Sequence, residues 1–323
     1  MPQPMPARLP VWRSGLDRDV PTRLRPDAIP ALLADPATRA IVVRRGAALV
    51  KSGSLALLAA SEIPTELIES ADALVYLGRT IQPQGSLPAG TAVLAIAVPP
   101  HVEQVPPAPS TASWQNLRSL GASATRLDVE LLTQAVALFN WHSSHRFSPR
   151  TGQPTEVVQA GWVRRGVDPE HDIYPRIDPS IIVAVLDDSD RILLGSNAQW
   201  EANRFSLLAG FVEPGESLEG AVEREVLEES GLWVTDLEYL GSQPWPFPAS
   251  LMLGFTARVD ATRESRLAPD GEEILELRWF SREELAASLD DIILPGRVSI
   301  ARAIIEHWYG GEIVDGAAVG RAR

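Results

Sequence analysis

The stretch from Gly210 to Leu232 constrains this chain more than any other. Within it, Arg224-Glu225-Val226-Leu227-Glu228-Glu229-Ser230-Gly231-Leu232 sets three glutamates at i, i+3 and i+4. On a helix these project from one face within a few ångströms of each other. Like charges at that spacing weaken an isolated helix. A divalent cation is the simplest compensation, because Mg²⁺ and Mn²⁺ prefer carboxylate oxygens. A triple glutamate alone is more often a solvated acidic face, but the flanking residues argue against that reading. Gly210 stands six residues before Glu216, and Glu216 eight before Arg224. Gly210 and Pro214-Gly215 allow a sharp turn between strand and helix. Glu216 can pair with Arg224 and brace that turn. Val222, Val226 and Leu227 are placed to hold the opposite side in a core, and Gly231 stops the helix.

Composition sets the frame around this motif. The chain has 323 residues, 45% of them hydrophobic and 22% charged, as in ordinary soluble globular proteins. That length calls for two domains or three small modules. No apolar run is long enough to span a membrane, and Met1 to Pro10 lacks the apolar core of a secretory signal, so a cytoplasmic location is expected. With no cysteine, disulfides and thiolate zinc sites are excluded. The net charge of −13 gives no basic bias toward nucleic acid. It is compatible with phosphate chemistry when divalent ions screen the repulsion.

Before residue 105, Ala40–Val43, Ala47–Val50, Ala73–Leu77 and Thr91–Val98 read as strands. Residues 99–113, rich in proline and small polar residues, read as a linker. Leu127 to His145 has helical spacing, with Leu131, Leu132, Ala135, Leu138 and Phe139 on one side. Residues 152–174 are polar and broken. Beyond them, Ser180–Leu186 and Arg191–Leu194 form an expected hairpin around Asp187–Asp190. Ser206–Ala209 follows as a strand and Leu218–Ser230 as a helix. Tyr239–Gln243, Leu251–Val259 and Glu276–Phe280 are further strands, and Val298–Trp308 a closing helix. Strands flanked by two helices predict an α/β/α sandwich in a chain that is α+β as a whole.

The glutamate motif matches every specified position of Gly-x5-Glu-x7-Arg-Glu-aliphatic-x-Glu-Glu-x-Gly-aliphatic, the box of the Nudix hydrolases. A chance match in a chain this long has odds of roughly one in ten million. Ser242-Gln243-Pro244-Trp245-Pro246-Phe247-Pro248-Ala249-Ser250 adds a stiff loop with two fixed aromatic rings, which cannot be a central strand. This stretch resembles the SQPWPFPxS signature of the NADH pyrophosphatase subfamily. Trp141–Phe147, Tyr174–Pro179, Glu272–Phe280 and Pro295–Ala301 resemble further blocks of that family.

The resemblance implies a domain order. Residues 1–125 would form a β-rich N-terminal domain, 126–174 a zinc-ribbon-like segment, 175–314 the Nudix domain, and 315–323 a tail. It also implies metal-dependent hydrolysis of the NADH or NAD⁺ diphosphate to nicotinamide mononucleotide and AMP. Removal of 5′ NAD caps from RNA, or hydrolysis of a dinucleotide such as ADP-ribose, is the alternative. An inactive nucleotide-sensing domain is a third reading, opposed by the complete set of box carboxylates. Glu225, Glu228, Glu229 and Glu273 would hold Mg²⁺ or Mn²⁺, with Glu229 the most rate-critical. Phe211 and Tyr174 would stack on a substrate ring, while Gln243, Trp245, Ser250 and Ala301 would line the pocket. Gly210, Glu216, Arg224 and Gly231 would be structural. The resemblance further implies a homodimer.

One departure from the family is plain. Its four zinc-ribbon cysteines are replaced by Ser148, Thr151, Gly166 and Pro169, so no structural zinc is expected. Trp141, Phe147 and Trp162 are the expected apolar substitutes.

Overall fold

The computed structural model describes Leu9 and residues 14–105, 108–120, 124–167 and 170–316. It divides into two units. One comprises Arg13–Ile177 together with Pro244–Ala249. The other comprises Asp178–Gln243, the chain from Ser250 onward, and an N-terminal segment that includes Leu9.

In the first unit, short extended segments pair into an eight-stranded sheet. Its strands are β1 (Leu16–Asp17), β2 (Arg39–Arg44), β3 (Ala47–Lys51), β4 (Ser54–Leu55), β5 (Leu58–Ala59), β6 (Ala73–Thr80), β7 (Ala92–Ala97) and β8 (Ser113–Asn116). The order is β1-β6-β7-β2-β3-β4, with β5 on β2 and β8 on β3. The described residues of 99–113 do not form a free linker. Val105 is buried in the core of this unit, Val102, Ala108 and Ala112 pack against it, and the stretch runs into β8. Three short helices, Val20–Arg23, Ala28–Ala34 and Thr65–Glu69, carry too few turns to show a hydrophobic period.

The helix Arg126–Ser144 starts on a capping box made by Thr125 and Asp128, where each residue satisfies an otherwise orphaned donor. It is buried nearly all round in its first half, polar residues included, because those residues have partners. Leu55 N donates to Asp128 at 3.2 Å, Gly15 N to Glu130 at 2.7 Å, and Gln134 Nε2 to Leu77 O at 2.9 Å. The single apolar stripe expected from the sequence is therefore too narrow, and Phe139, assigned to it, is only half-buried.

The ribbon-like segment folds as β9 (Glu156–Val158) against β10 (Val163–Arg165). Ser148 and Gly166 still face one another, since a Cβ on Gly166 would meet Ser148 Cβ at 4.0 Å. Pro169 lies outside the described residues. The expected apolar substitutes hold only in part. Trp141 is buried and Trp162 donates to Tyr76 O at 2.7 Å, but Phe147 is 60% exposed. A polar staple works in its place. Arg164 donates through Nε to Thr155 Oγ1 at 2.7 Å, through Nη2 to Thr155 O at 3.0 Å, and through Nη1 toward His142 Nδ1 at 3.1 Å. His142 Nε2 lies 2.9 Å from Gly161 O. These contacts fix the neutral tautomer, with Nε2–H donating and Nδ1 accepting.

Burial first, and the Arg164 charge in addition, push His142 down from 6.5 to about 4, against the opposing pull of Gly161 O. The unfolded chain takes up this proton near pH 6.5 and the folded chain only near pH 4. Stability is thus full above pH 6.5 and lost as pH falls from there to about 4, by about 3 kcal/mol. Carboxylates titrate over the same range, so urea melts at pH 7 and pH 5 isolate this loss as the difference between the wild type and His142→Gln. The loss should be smaller in His142→Gln, and an identical pH slope in both proteins would refute it.

The second unit holds a six-stranded mixed sheet: β11 (Asp178–Leu186), β12 (Ile192–Asn197), β13 (Leu208–Phe211), β14 (Val234–Trp245), β15 (Ser250–Val259) and β16 (Ile274–Phe280). Its order is β14-β15-β11-β12-β16, with β13 antiparallel to β11 and β15 parallel to it. Alternation along β11 buries both faces. Ile181, Val183 and Val185 join the core with Ala221, Val222 and Val226 of the helix Leu218–Ser230. Ile182, Ala184 and Leu186 join Ile300, Ile304 and Trp308 of the helix Ile300–Tyr309. The unit is an α/β/α sandwich, as expected. Pro244 and Trp245 extend β14 further than the sequence suggested. The sheet tolerates them because β14 is an edge strand, where a missing N–H costs no ladder bond.

Candidate active site

The helix Leu218–Ser230 is built by local signals at both ends. The Ser217 hydroxyl accepts from Gly220 N at 3.0 Å at its start. At its end Gly231 takes φ 70°, a left-handed conformation that glycine adopts without strain. Ala221, Val222 and Val226 face the core; Leu227, expected there, is only half-buried.

Arg224 organises the carboxylates. Its Nε and Nη2 grip the two oxygens of Glu216 at 2.8 and 2.9 Å, and Nη2 also reaches Phe211 O at 2.9 Å. Glu213 N donates to Glu216 at 3.0 Å. The Arg224 fork, with this N–H, holds Glu216 down to about 2. Nη1 of Arg224 contacts Glu225 and Glu228, each at 2.9 Å. One guanidinium therefore braces the turn and orders two glutamates of the face. Lysine cannot reproduce a planar fork with five donors. Arg224→Lys is expected to lower kcat/KM roughly 10- to 100-fold, as measured by initial rates against substrate concentration. An unchanged rate would remove Arg224 from the site.

The three glutamates sit in different surroundings. Glu228 is exposed, and Glu225 is half-buried with its proton affinity raised by burial and partly offset by Arg224. Glu229 is 4% exposed, and its Oε2 has no hydrogen-bond partner. Burial, then the charges of Glu225, Glu273 and Asp270, push Glu229 up to about 8, opposed by the N–H of Ala209. Glu273 lies on the surface just before β16, where Asn197 Nδ2 donates to it at 3.3 Å.

A buried, unpartnered carboxylate oxygen surrounded by further carboxylates fits a hard divalent cation such as Mg²⁺ or Mn²⁺. Among the described residues no three acidic or imidazole groups stand at metal-ligating spacing. Arg224 engages Glu225 and Glu228 instead.

The remaining candidates are distributed unevenly. Phe211 ends β13 and is 54% exposed. Gln243 is buried with both amide ends in use: Nε2 donates to Val298 O at 2.7 Å, and Oε1 accepts from Ile300 N at 2.5 Å. It thereby ties β14 to the start of the last helix. Ser250 opens β15 in register with Asp178, and Ala301 packs in the core. Tyr174 and Trp245 belong to the other unit. There Tyr174 is exposed, and the Trp245 and Phe247 rings lie 5.0 Å apart, with Arg118 4.5 Å from the Phe247 ring. Sequence reasoning missed Asp270. The Asp270-Gly271 pair, a common turn dipeptide, was the signal available for it.

Comparison with known proteins agrees with this geometry. Residues 176–301 match the NUDIX domain, 37–141 the NADH pyrophosphatase-like rudimentary NUDIX domain, and 143–165 the NADH pyrophosphatase zinc ribbon domain. The NAD-capped RNA hydrolase NudC of Mycobacterium bovis is 41% identical over 311 residues, covering 93% of this chain and 94% of that one. The chain belongs to the NADH pyrophosphatase branch of the Nudix hydrolases. Other relatives in this branch include the NudC of Pseudomonas syringae, 40% identical over 60% of this chain and 66% of that one. The NAD-capped RNA hydrolase NUDT12 of Macaca fascicularis is 37% identical over 55% and 41%. As a Nudix hydrolase, the protein is an enzyme of diphosphate hydrolysis. Its zinc-ribbon match covers a stretch without a single cysteine.

Proposed function

We propose that this enzyme hydrolyses the diphosphate of NADH and NAD⁺. Water attacks one phosphorus, the P–O–P bridge breaks, and nicotinamide mononucleotide and AMP leave, each with one phosphate. The observation that carries this reading is Glu229, buried and short of a partner on the same helix face as Glu225, in a chain related along almost its whole length to NudC proteins. Glu225, Glu229 and Glu273 are assigned to hold Mg²⁺ or Mn²⁺, with Glu228 assisting. When bound, the ion supplies positive charge against the developing charge on the diphosphate oxygens. Arg224 and Glu216 hold the helix and its preceding turn in place. Phe211 presents an exposed ring for stacking. Gln243, Ser250 and Ala301 are assigned to the pocket lining, and Tyr174 and Trp245 to its aromatic contacts, on resemblance alone.

The names of the relatives favour a second substrate of the same chemistry, an RNA carrying a 5′ NAD cap. Values of kcat/KM for NADH, NAD⁺, ADP-ribose and NAD-capped RNA, measured with Mg²⁺ and with Mn²⁺, rank these substrates. A preference for ADP-ribose over all nicotinamide-bearing substrates would overturn the assignment.

The same family likeness supports a homodimer, which sedimentation of the full chain tests. The cysteine-less ribbon supports a fold without structural zinc. Elemental analysis of protein purified without added zinc is expected to find less than stoichiometric amounts, and one zinc per chain would contradict this.

A further inference from the structure

We propose that Asp270 is the positioning residue for Glu273, fixing the turn from which that carboxylate reaches the site; this rests on Glu273 holding the cation, as assigned above. One oxygen of Asp270 accepts three successive backbone N–H groups, from Glu272 at 3.0 Å, Glu273 at 3.1 Å and Ile274 at 2.8 Å. Gly271, at φ 76°, closes the turn through its N–H to Ile274 O at 3.1 Å. On the far side, Ala198 N donates to Glu273 O at 2.8 Å, next to the irregularity that the β12–β16 ladder shows between Ser196 and Asn197.

The Glu273 side chain is exposed, and Asn197 gives it one long hydrogen bond. No packed core holds such a flexible side chain. Its reach is therefore set by where the backbone starts it, and Asp270 sets that start. The charge of Asp270 also acts on Glu229.

The two roles open to Asp270 separate cleanly. Asparagine keeps the Oδ1 acceptor and drops the charge, whereas alanine drops both. Because Asp270 is exposed, loss of its bonds frees a turn that water can solvate, and both variants should fold. Three readouts on the full-length protein test the role: kcat and KM for NADH, Mn²⁺ affinity by electron paramagnetic resonance without substrate, and hydrogen exchange of the peptide around 268–276.

Asp270→Ala is expected to weaken Mn²⁺ binding and lower kcat/KM, each roughly 10- to 100-fold, with faster exchange in that peptide. Asp270→Asn should stay within about threefold of the wild type, as expected when the retained acceptor keeps the ligand oriented. If asparagine fell as far as alanine, the charge would be what matters and the positioning role would be wrong. Alanine within twofold of wild type would also overturn it. Glu273→Gln is the parallel control. If it changed neither Mn²⁺ affinity nor rate, the assignment of Glu273 would fail. A loss there with an innocuous Asp270→Ala would instead sink only the role of Asp270.

Discussion

Glu229→Gln is expected to lower kcat for NADH hydrolysis roughly 10³-fold and, in protein stripped of divalent ions, to raise the melting temperature. Both effects follow from one environment. Glu229 is buried, lacks a partner at Oε2, and faces Glu225, Glu273 and Asp270. Its proton affinity rises from the usual carboxylate range to about 8 on folding. A group with a raised folded value contributes stability below its unfolded value, near 4.5, and loses it as pH rises through 8. Glutamine is neutral throughout. The melting advantage of the variant in chelator should therefore grow from pH 5 to pH 9. A gain of 1 kcal/mol corresponds to about 2–4 °C or somewhat less in a chain of this size. Added Mg²⁺ or Mn²⁺ should stabilise the wild type by mass action and narrow the gap. A variant less stable than wild type at every pH would show that Glu229 serves the fold rather than the chemistry.

The second large effect comes from a glycine. A Cβ on Gly210 would overlap the carboxylate of Glu225, so Gly210→Ala must push that carboxylate out of its place. A displacement of about 1 Å in a catalytic group can cost roughly 100-fold in rate. The fold should not suffer. Gly210 lies in β13 opposite Ile181, its φ is not in the left-handed region, and alanine is preferred over glycine in a strand. Gly210→Ala is thus expected to melt at or slightly above the wild-type temperature, with kcat/KM down roughly 100-fold and weaker Mn²⁺ binding. Unfolding of the variant, or full activity, would contradict the account. Gly231 should behave in the opposite way. Its φ of 70°, and the 2.6 Å approach that an added Cβ would make to Arg266 O, make alanine there a stability defect.

Much of this site was legible because its signals are local. Ser217, Pro214-Gly215 and Gly231 bound the helix through caps and turns that depend on a few neighbouring residues. The glutamate spacing fixed their common face, and the continuous apolar run from Ile181 to Leu186 announced a buried strand. Features set by tertiary packing were not legible. The parallel pairing of β11 with β15 depends on which strands share a core. Phe147 looked like an apolar plug and stays exposed, because Arg164, Thr155 and His142 staple the ribbon with polar contacts whose residues lie far apart in sequence. Pro244 suggested the end of a strand, but β14 continues through it because it is an edge. Asp270 escaped notice because its work is done on backbone N–H groups, which leave little trace in side-chain patterns.

The central claim is cation-dependent cleavage of a dinucleotide diphosphate by the carboxylates of one helix face. Chromatography of NADH incubated with the purified full-length protein tests it most directly, with Mg²⁺ or Mn²⁺, with chelator, and with Glu229→Gln in place of the wild type. Reduced nicotinamide mononucleotide and AMP are expected in equal amounts from the wild type with either ion, and almost none in the other two reactions. Products cleaved at the nicotinamide–ribose bond, or equal rates with chelator or with Glu229→Gln, would contradict it.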